Sequence, residues 1–176
     1  MELRRLEREG EARFLALYHA AFPREERTPD WLILRALRQG RAEAWDLTED
    51  GAWLGLAYVV THEDLAYLFY LAIDAPFRGR DYGTQAMAAI RERYDSCRLF
   101  LALEELDEGA ENYPERLRRH AFYEACGLHD LPYRLQEGRM IYALMGTGPV
   151  SPGEYRALIG GFLGWVRHFV LMRLIP

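Results

Sequence analysis

The run Leu65-Ala66-Tyr67-Leu68-Phe69-Tyr70-Leu71-Ala72-Ile73 is apolar without interruption. A strand with one wet face alternates, so an unbroken run marks a strand covered on both faces, as in a sheet with helices packed against it. The segments downstream narrow the choice further. Asp74 to Gly83 is polar and glycine-bearing, and it leads into a helical pattern that reaches about Tyr94 with Met87 and Ile90 inward. An apolar strand, Arg98 to Leu103, comes next. A strand, a crossover helix and a second strand make a parallel pair. Upstream, Ala42 to Leu47, the Asp50-Gly51 turn, Trp53 to Val60 and the polar turn Thr61 to Asp64 read as antiparallel strands leading into Leu65 to Ile73. The expected fold class is therefore α/β, with a mixed, mostly antiparallel central sheet flanked by helices.

The flanking helices are punctuated in the chain. Residues 8–21 place Phe14, Leu17, Tyr18, Ala21 and Phe22 at helical spacing, closed by Pro23. In the next helix Thr28 is the expected cap, Pro29 belongs to the first turn and Gly40 supplies a left-handed exit. After the strand at 98–103 comes an acidic connection, 104–113. A helix from Pro114 to Ala125 is stopped by Gly127, and two strands follow near 131–136 and 139–145. Ser151-Pro152-Gly153-Glu154 spells a capping box with proline in the first turn, so the tail reads as one more helix. Its stripe of Tyr155, Leu158, Ile159, Phe162, Leu163, Val166, Phe169 and Val170 must be covered, by its own domain or by a second subunit in a homodimer. With 176 residues the chain suits one domain. We divide it into a main body, 1–147, and the C-terminal amphipathic helix, 148–176.

Composition removes several function classes. All 22 basic residues are arginine, against 27 carboxylates, for a net charge of −5. Without lysine, neither a Walker phosphate loop nor Schiff-base catalysis is available as usually built. Scattered, outnumbered arginines lack the footprint of a nucleic-acid binder. The five histidines, His19, His62, His120, His129 and His168, show no metal-ligand spacing, and no metal is expected. Cys97 and Cys126 suggest a reducing compartment, and we expect a buried pair of thiols without a disulfide. The N-terminus has no apolar leader and no apolar run reaches the roughly 18 residues of a membrane span, so the expected location is the cytoplasm.

The chemistry points to the junction Leu71-Ala72-Ile73-Asp74-Ala75-Pro76-Phe77-Arg78-Gly79-Arg80-Asp81-Tyr82-Gly83-Thr84. A strand running into a helix N-terminus aims unpaired N–H groups and a positive dipole end at one point, a cradle for an anion such as a pyrophosphate. Gly79 and Gly83 allow close approach, and Arg78 and Arg80 add charge. It is not a dinucleotide fingerprint, since Gly-x-Gly-x-x-Gly is absent.

This segment resembles the acetyl-CoA-binding motif of the GNAT superfamily of N-acetyltransferases, Arg/Gln-x-x-Gly-x-Gly/Ala, with Arg78, Gly83 and, in place of the first glycine, Asp81. Ala121-Phe122-Tyr123-Glu124-Ala125-Cys126-Gly127-Leu128 resembles the family's second motif, Phe-Tyr-x-x-x-Gly-Phe. The order of elements over residues 1–146 is also that of the family. The resemblance implies a GNAT-like fold and direct acetyl transfer from acetyl-CoA to a small-molecule or peptide amine. It assigns the pyrophosphate to Arg78, Gly79, Arg80, Asp81, Gly83 and Thr84, and the pantetheine arm to the strand end at Leu71 and Ile73. Tyr123 is implied as the proton donor to the departing thiolate, and Glu104 or Glu105 as acceptor of the amine's proton. Neighbouring strand residues face opposite ways, so at most one of these two carboxylates faces the site while both remain in the strand. Glu25 and Glu26 lie in the connection that borders the acceptor in this family. Arg116 stands where many members place a cofactor-contacting asparagine, while Asn112, the one asparagine, lies a turn earlier. Asp81 is expected to tolerate a left-handed backbone, with its carboxylate competing for the N–H groups that serve the pyrophosphate.

Overall fold

The computed structural model describes residues 1–138, 140–164 and 172–176. By hydrogen bonding its strands follow the order β1-β2-β3-β4-β5-β7-β6-β8 in one mixed sheet. The chain forms two compact units, Met1–Thr61 with Leu68–Asp95, and His62–Tyr67 with Ser96–Pro176.

In the first unit β1 (Glu2–Arg5) and β2 (Ala42–Glu49) pair antiparallel, as do β2 and β3 (Ala52–His62). The unit also holds the later part of β4 (Leu65–Ile73), α1 (Glu11–Ala21), α2 (Asp30–Arg38) and α3 (Tyr82–Arg93). Its core is what the periodicity demands: Phe14 and Tyr18 from α1, Leu32 and Ile33 from α2, and Met87 and Ile90 from α3, all buried with Leu56 and Tyr58 of β3. The Tyr58 hydroxyl donates to the Ile33 carbonyl at 3.1 Å, so a polar group enters the core with its partner. Gly55 marks a close approach of backbones, because a Cβ there would run into the Ala72 carbonyl. Two details differ from expectation. Charged Glu2–Arg5 form an edge strand, where charge is tolerated because one side stays wet. Pro29, not Thr28, is the N-cap of α2, and the Thr28 Oγ1 is engaged by a tyrosine described below.

In the second unit the first residues of β4 pair parallel with β5 (Arg98–Glu104), Leu65 opposite Arg98 and Tyr67 opposite Phe100. β5 pairs antiparallel with β7 (Met140–Gly146), β7 with β6 (His129–Glu137), and β6 with β8 (Met172–Ile175). α4 (Tyr113–Ala125) follows β5, and α5 (Pro152–Leu163) precedes β8. The capping box of α5 forms as read, with the Glu154 N–H donating to Ser151 Oγ at 3.3 Å and the Ser151 N–H to Glu154 Oε2 at 2.8 Å. Tyr155 is fully buried against Tyr67 and Phe100, whose rings stack at 4.6 Å, and Leu158, Ile159, Phe162 and Leu163 are buried with it. The described part of the stripe is thus covered by the chain itself, while Val166, Phe169 and Val170 lie outside the described residues, as does His168. The tail is not helical throughout: its last residues, beyond the stripe that ends at Val170, form β8 and pair with β6. Cys97 and Cys126 form no disulfide, and Cys97 is half-buried rather than buried as expected. Among the described residues no helix is long and apolar enough to cross a membrane.

Candidate active site

The first unit carries the β4–α3 junction. β4 alternates from Leu68 onward, with Leu68, Tyr70 and Ala72 buried and Phe69, Leu71 and Ile73 only partly covered. The strand runs to Ile73. The Asp74 N–H donates to the Leu54 carbonyl at 2.8 Å, and Asp74 Oδ1 accepts from the Ala75 N–H at 2.8 Å, turning the chain into a short 3-10 turn, Ala75–Phe77. Arg78 Nε then reaches back to the Ile73 carbonyl at 2.9 Å, so this arginine braces the end of the strand.

Beyond Arg78 the backbone N–H groups from Gly79 through Thr84 have no hydrogen-bond partner among the described residues; the first helical bond of α3 is Gln85 N–H to the Asp81 carbonyl, at 3.2 Å. Gly79 and Asp81 both have positive φ, +73° and +62°, and these left-handed residues turn successive N–H groups outward before the helix begins. That explains why a glycine is expected at position 81: the site needs a left-handed residue, and aspartate meets the need at some cost. The Asp81 side chain makes no capping bond, so its carboxylate does not occupy the N–H groups as expected. Asp81, Arg78 and Arg80 are exposed.

The same unit positions the α1–α2 connection with Glu25 and Glu26, which form a short 3-10 turn, Arg24–Glu26. Two buried tyrosines hold it. The Tyr18 hydroxyl donates to the Thr28 carbonyl at 2.9 Å, and the Thr28 N–H donates to the Tyr70 hydroxyl at 3.0 Å. The Tyr70 oxygen also lies 3.1 Å from the Glu26 carbonyl and 3.0 Å from Thr28 Oγ1, between which its single proton must choose. Burial pushes the Tyr18 phenol far above its ordinary range, with Tyr70 adding to the rise, so the clamp stays neutral. Glu25 is exposed and Glu26 half-buried.

In the second unit Glu104 ends β5 and Glu105 already lies outside the strand. The two carboxylates take different partners. Glu104 faces α4, 3.0 Å from Arg116, 2.9 Å from Arg119 and 3.1 Å from Asn112 Nδ2, with only 17% of its side chain exposed. Glu105 lies 3.5 Å from Arg134. Arg116, expected on the cofactor, is instead spent on its own unit: Nε donates to Asn112 Oδ1 at 2.7 Å and another nitrogen to the Glu105 carbonyl at 2.9 Å. Arg119, which the sequence did not single out, proves central to this cluster. Its one sequence signal is its place four residues before Tyr123.

Tyr123 is half-buried near the end of α4, with its ring 5.0 Å from that of Phe122. Its hydroxyl has no hydrogen-bond partner among the described residues and is not sealed in the core. Burial pushes its phenol up to about 12, the Arg119 guanidinium pulls it down and Cys126 adds to the rise. The group is protonated at neutral pH and holds its proton unshared, the state a proton donor requires.

No curated protein sequence matches the chain. Its backbone superimposes on a Bacteroides thetaiotaomicron protein assigned to the GNAT family of acetyltransferases, with a TM-score of 0.72 and 18% identity over 95% of this chain and 98% of that one. It also superimposes on the Escherichia coli ribosomal-protein-S18-alanine N-acetyltransferase, with a TM-score of 0.59 and 20% identity over 82% and 91% of the two chains. An aminoglycoside 6'-N-acetyltransferase complexed with coenzyme A gives 0.61 and 13% over 83% and 96%. These identities speak for the fold. The sequence profile of the acetyltransferase (GNAT) family matches residues 11–128, a span that takes in both the β4–α3 junction and the Phe122-Tyr123 pair, and on that match the chain belongs to the GNAT family of acetyltransferases.

Proposed function

We propose that this acetyltransferase moves an acetyl group from acetyl-CoA directly to the nitrogen of a small-molecule or peptide amine. The observation that carries the reading is the unspent row of N–H groups from Gly79 to Thr84, ending at the N-terminus of α3. Such a row suits a pyrophosphate, because each donor is already oriented and the helix dipole favours negative charge there. Arg80 and Thr84 add a charge and a hydroxyl beside it. Leu71 and Ile73 are only partly covered at the end of β4, where the chain turns toward that row, which supports their reading as the track for the pantetheine arm.

Acetyl-CoA supplies the acetyl group as a thioester. A backbone N–H of the β4 end stabilises the charge that develops on its carbonyl oxygen. As the amine nitrogen forms its bond to the acetyl carbon and the C–S bond breaks, Tyr123 delivers its proton to sulfur and is reprotonated from solvent. The amine's surplus proton passes to water. Glu105 is the carboxylate we assign to relaying it, since both oxygens of Glu104 are engaged by guanidiniums. Glu25 and Glu26, held by Tyr18 and Tyr70, attract a cationic acceptor.

A thermal-shift titration with acetyl-CoA and CoA, followed by a free-thiol assay across polyamine, aminoglycoside and peptide amines, tests the reading. Saturating ligand should stabilise the chain by about 2.7 kcal/mol at a hundredfold excess over Kd. No shift with either ligand refutes it, and binding without turnover on any amine leaves an acyl-CoA-binding domain instead.

A further inference from the structure

The carboxylate cluster under α4 is built differently from a proton-accepting site. Glu104 receives Arg116 and Arg119 on separate oxygens, at 3.0 and 2.9 Å, with the Asn112 amide as a third donor. To take a proton it would have to give up a charge-assisted hydrogen bond. Two guanidiniums share this one partly buried carboxylate, and the other acid near Arg119 is Glu115, 3.6 Å away and mostly exposed, so its charge is screened by water. A surplus of positive charge is therefore left on this strip of the helix. Arg119 and Tyr123 are four residues apart on α4, and residues at that spacing stack on one helix face.

The geometry points to Arg119 as a positioning residue for acetyl transfer: pinned by Glu104, its guanidinium stabilises the anion left on the Tyr123 oxygen when that phenol gives up its proton. Glu104 acts by holding Arg119 and takes no proton from the amine. The inference rests on the reading of Tyr123 as the proton donor. The groups acting on that phenol are consistent with it, Arg119 from the preceding turn favouring the anion, Cys126 from the following turn opposing it, and Glu104 of β5 engaged through Arg119. An oxyanion that forms only after proton transfer is a transition-state feature, so Arg119 should act on kcat and not on acetyl-CoA affinity.

The test uses the full chain with Arg119→Gln, Arg119→Lys and Glu104→Gln. Arg119→Gln should lower kcat about 10- to 100-fold, the order expected for loss of one fixed charge or donor beside a developing anion, with acetyl-CoA affinity by calorimetry unchanged. Arg119→Lys should restore most of that loss. Glu104→Gln should cost less than tenfold and keep the pH-rate profile of the wild type, whereas loss of its acidic limb would make Glu104 the base and overturn the assignment. A second readout needs no turnover. Difluorotyrosine placed at position 123, whose phenol titrates well below tyrosine's, is followed by 19F NMR, and its midpoint should rise in Arg119→Gln and return toward wild type in Arg119→Lys. An unchanged midpoint refutes the action of Arg119 on the phenol. If the wild type binds acetyl-CoA and turns over no amine, the transfer reading fails while the titration still decides whether Arg119 acts on Tyr123.

Discussion

Replacing Asp81 by glycine separates what the backbone of the cradle demands from what its charge does. Asp81 sits at φ +62° and ψ 9°, immediately before α3, with no side-chain cap. A left-handed conformation costs an L-residue about 1–2 kcal/mol, and aspartate falls at the low end because its short polar side chain tolerates that region. Glycine removes this cost of about 1 kcal/mol. Against it stands the favourable placing of a carboxylate at a helix N-terminus, about 0.3–1 kcal/mol, and the greater freedom of glycine in the unfolded chain, roughly 0.5–1 kcal/mol. No hydrogen bond is lost. The terms nearly cancel, so Asp81→Gly should leave the stability of the apo protein within about 1 kcal/mol of wild type. Ligand binding does not cancel in this way. The carboxylate flanks the N–H row we assign to the pyrophosphate, and removing it should tighten acetyl-CoA binding by about 0.3–1 kcal/mol, or roughly two- to fivefold. Asp81→Asn keeps a left-handed former without the charge and should reproduce the gain in binding. Asp81→Ala keeps neither charge nor tolerance and should lose about 1 kcal/mol of stability. Calorimetry with CoA and thermal melts of the three variants decide the matter. An Asp81→Asn variant that binds no tighter than wild type refutes the charge argument, and an Asp81→Ala variant as stable as Asp81→Gly refutes the backbone one.

Four further outcomes are expected. Tyr123→Phe should lower kcat about 10²- to 10⁴-fold in steady-state assays, with acetyl-CoA affinity and melting temperature nearly unchanged, since its hydroxyl gives up no hydrogen bond among the described residues. Tyr70→Phe strips the Thr28 N–H of its acceptor and should cost about 1–2 kcal/mol in denaturant melts while raising KM for the amine more than for acetyl-CoA. Tyr155→Phe removes a buried hydroxyl that has no partner among the described residues and should stabilise the protein by about 1 kcal/mol; a loss of stability would reveal a hidden partner such as an ordered water. The Arg98 guanidinium, with help from Ser151, holds the Glu154 carboxyl down at about 2 from an ordinary 4.5. Because the folded value is the lower one, its stabilising contribution is full above pH 4.5 and fades as pH falls toward 2, and acid melts of Glu154→Gln should lack that part of the slope.

Features that depend on neighbours along the chain are legible in the amino-acid sequence alone. The apolar run of β4, the turn and helix after it, the capping box of α5 and the left-handed demand at Gly40 are each written within a dozen residues, where spacing and backbone preference act directly. The cradle of N–H groups before α3 belongs with them, since a strand end, two left-handed residues and a helix N-terminus occur in sequence. Edges are harder: Glu2–Arg5 and Met172–Ile175 are too short to show a period, and only a waiting partner strand makes them strands.

The fates of individual side chains are decided by tertiary structure. The alternation rule allows either Glu104 or Glu105 to face the site; the end of β5 and the arginines of α4 put Glu104 under the helix and leave Glu105 to Arg134. Arg116 matches the family's asparagine position in spacing, yet its guanidinium finds an amide, a carbonyl and a carboxylate nearer home. Thr28 is lost as a helix cap because Tyr70, 42 residues away, engages its Oγ1 at 3.0 Å. A sequence determines the local conformations open to each segment and which faces must be buried. Which of several competent partners a charged or hydrogen-bonding side chain takes depends on distances of a few ångströms between segments far apart in the chain, and those distances exist only once the chain has folded.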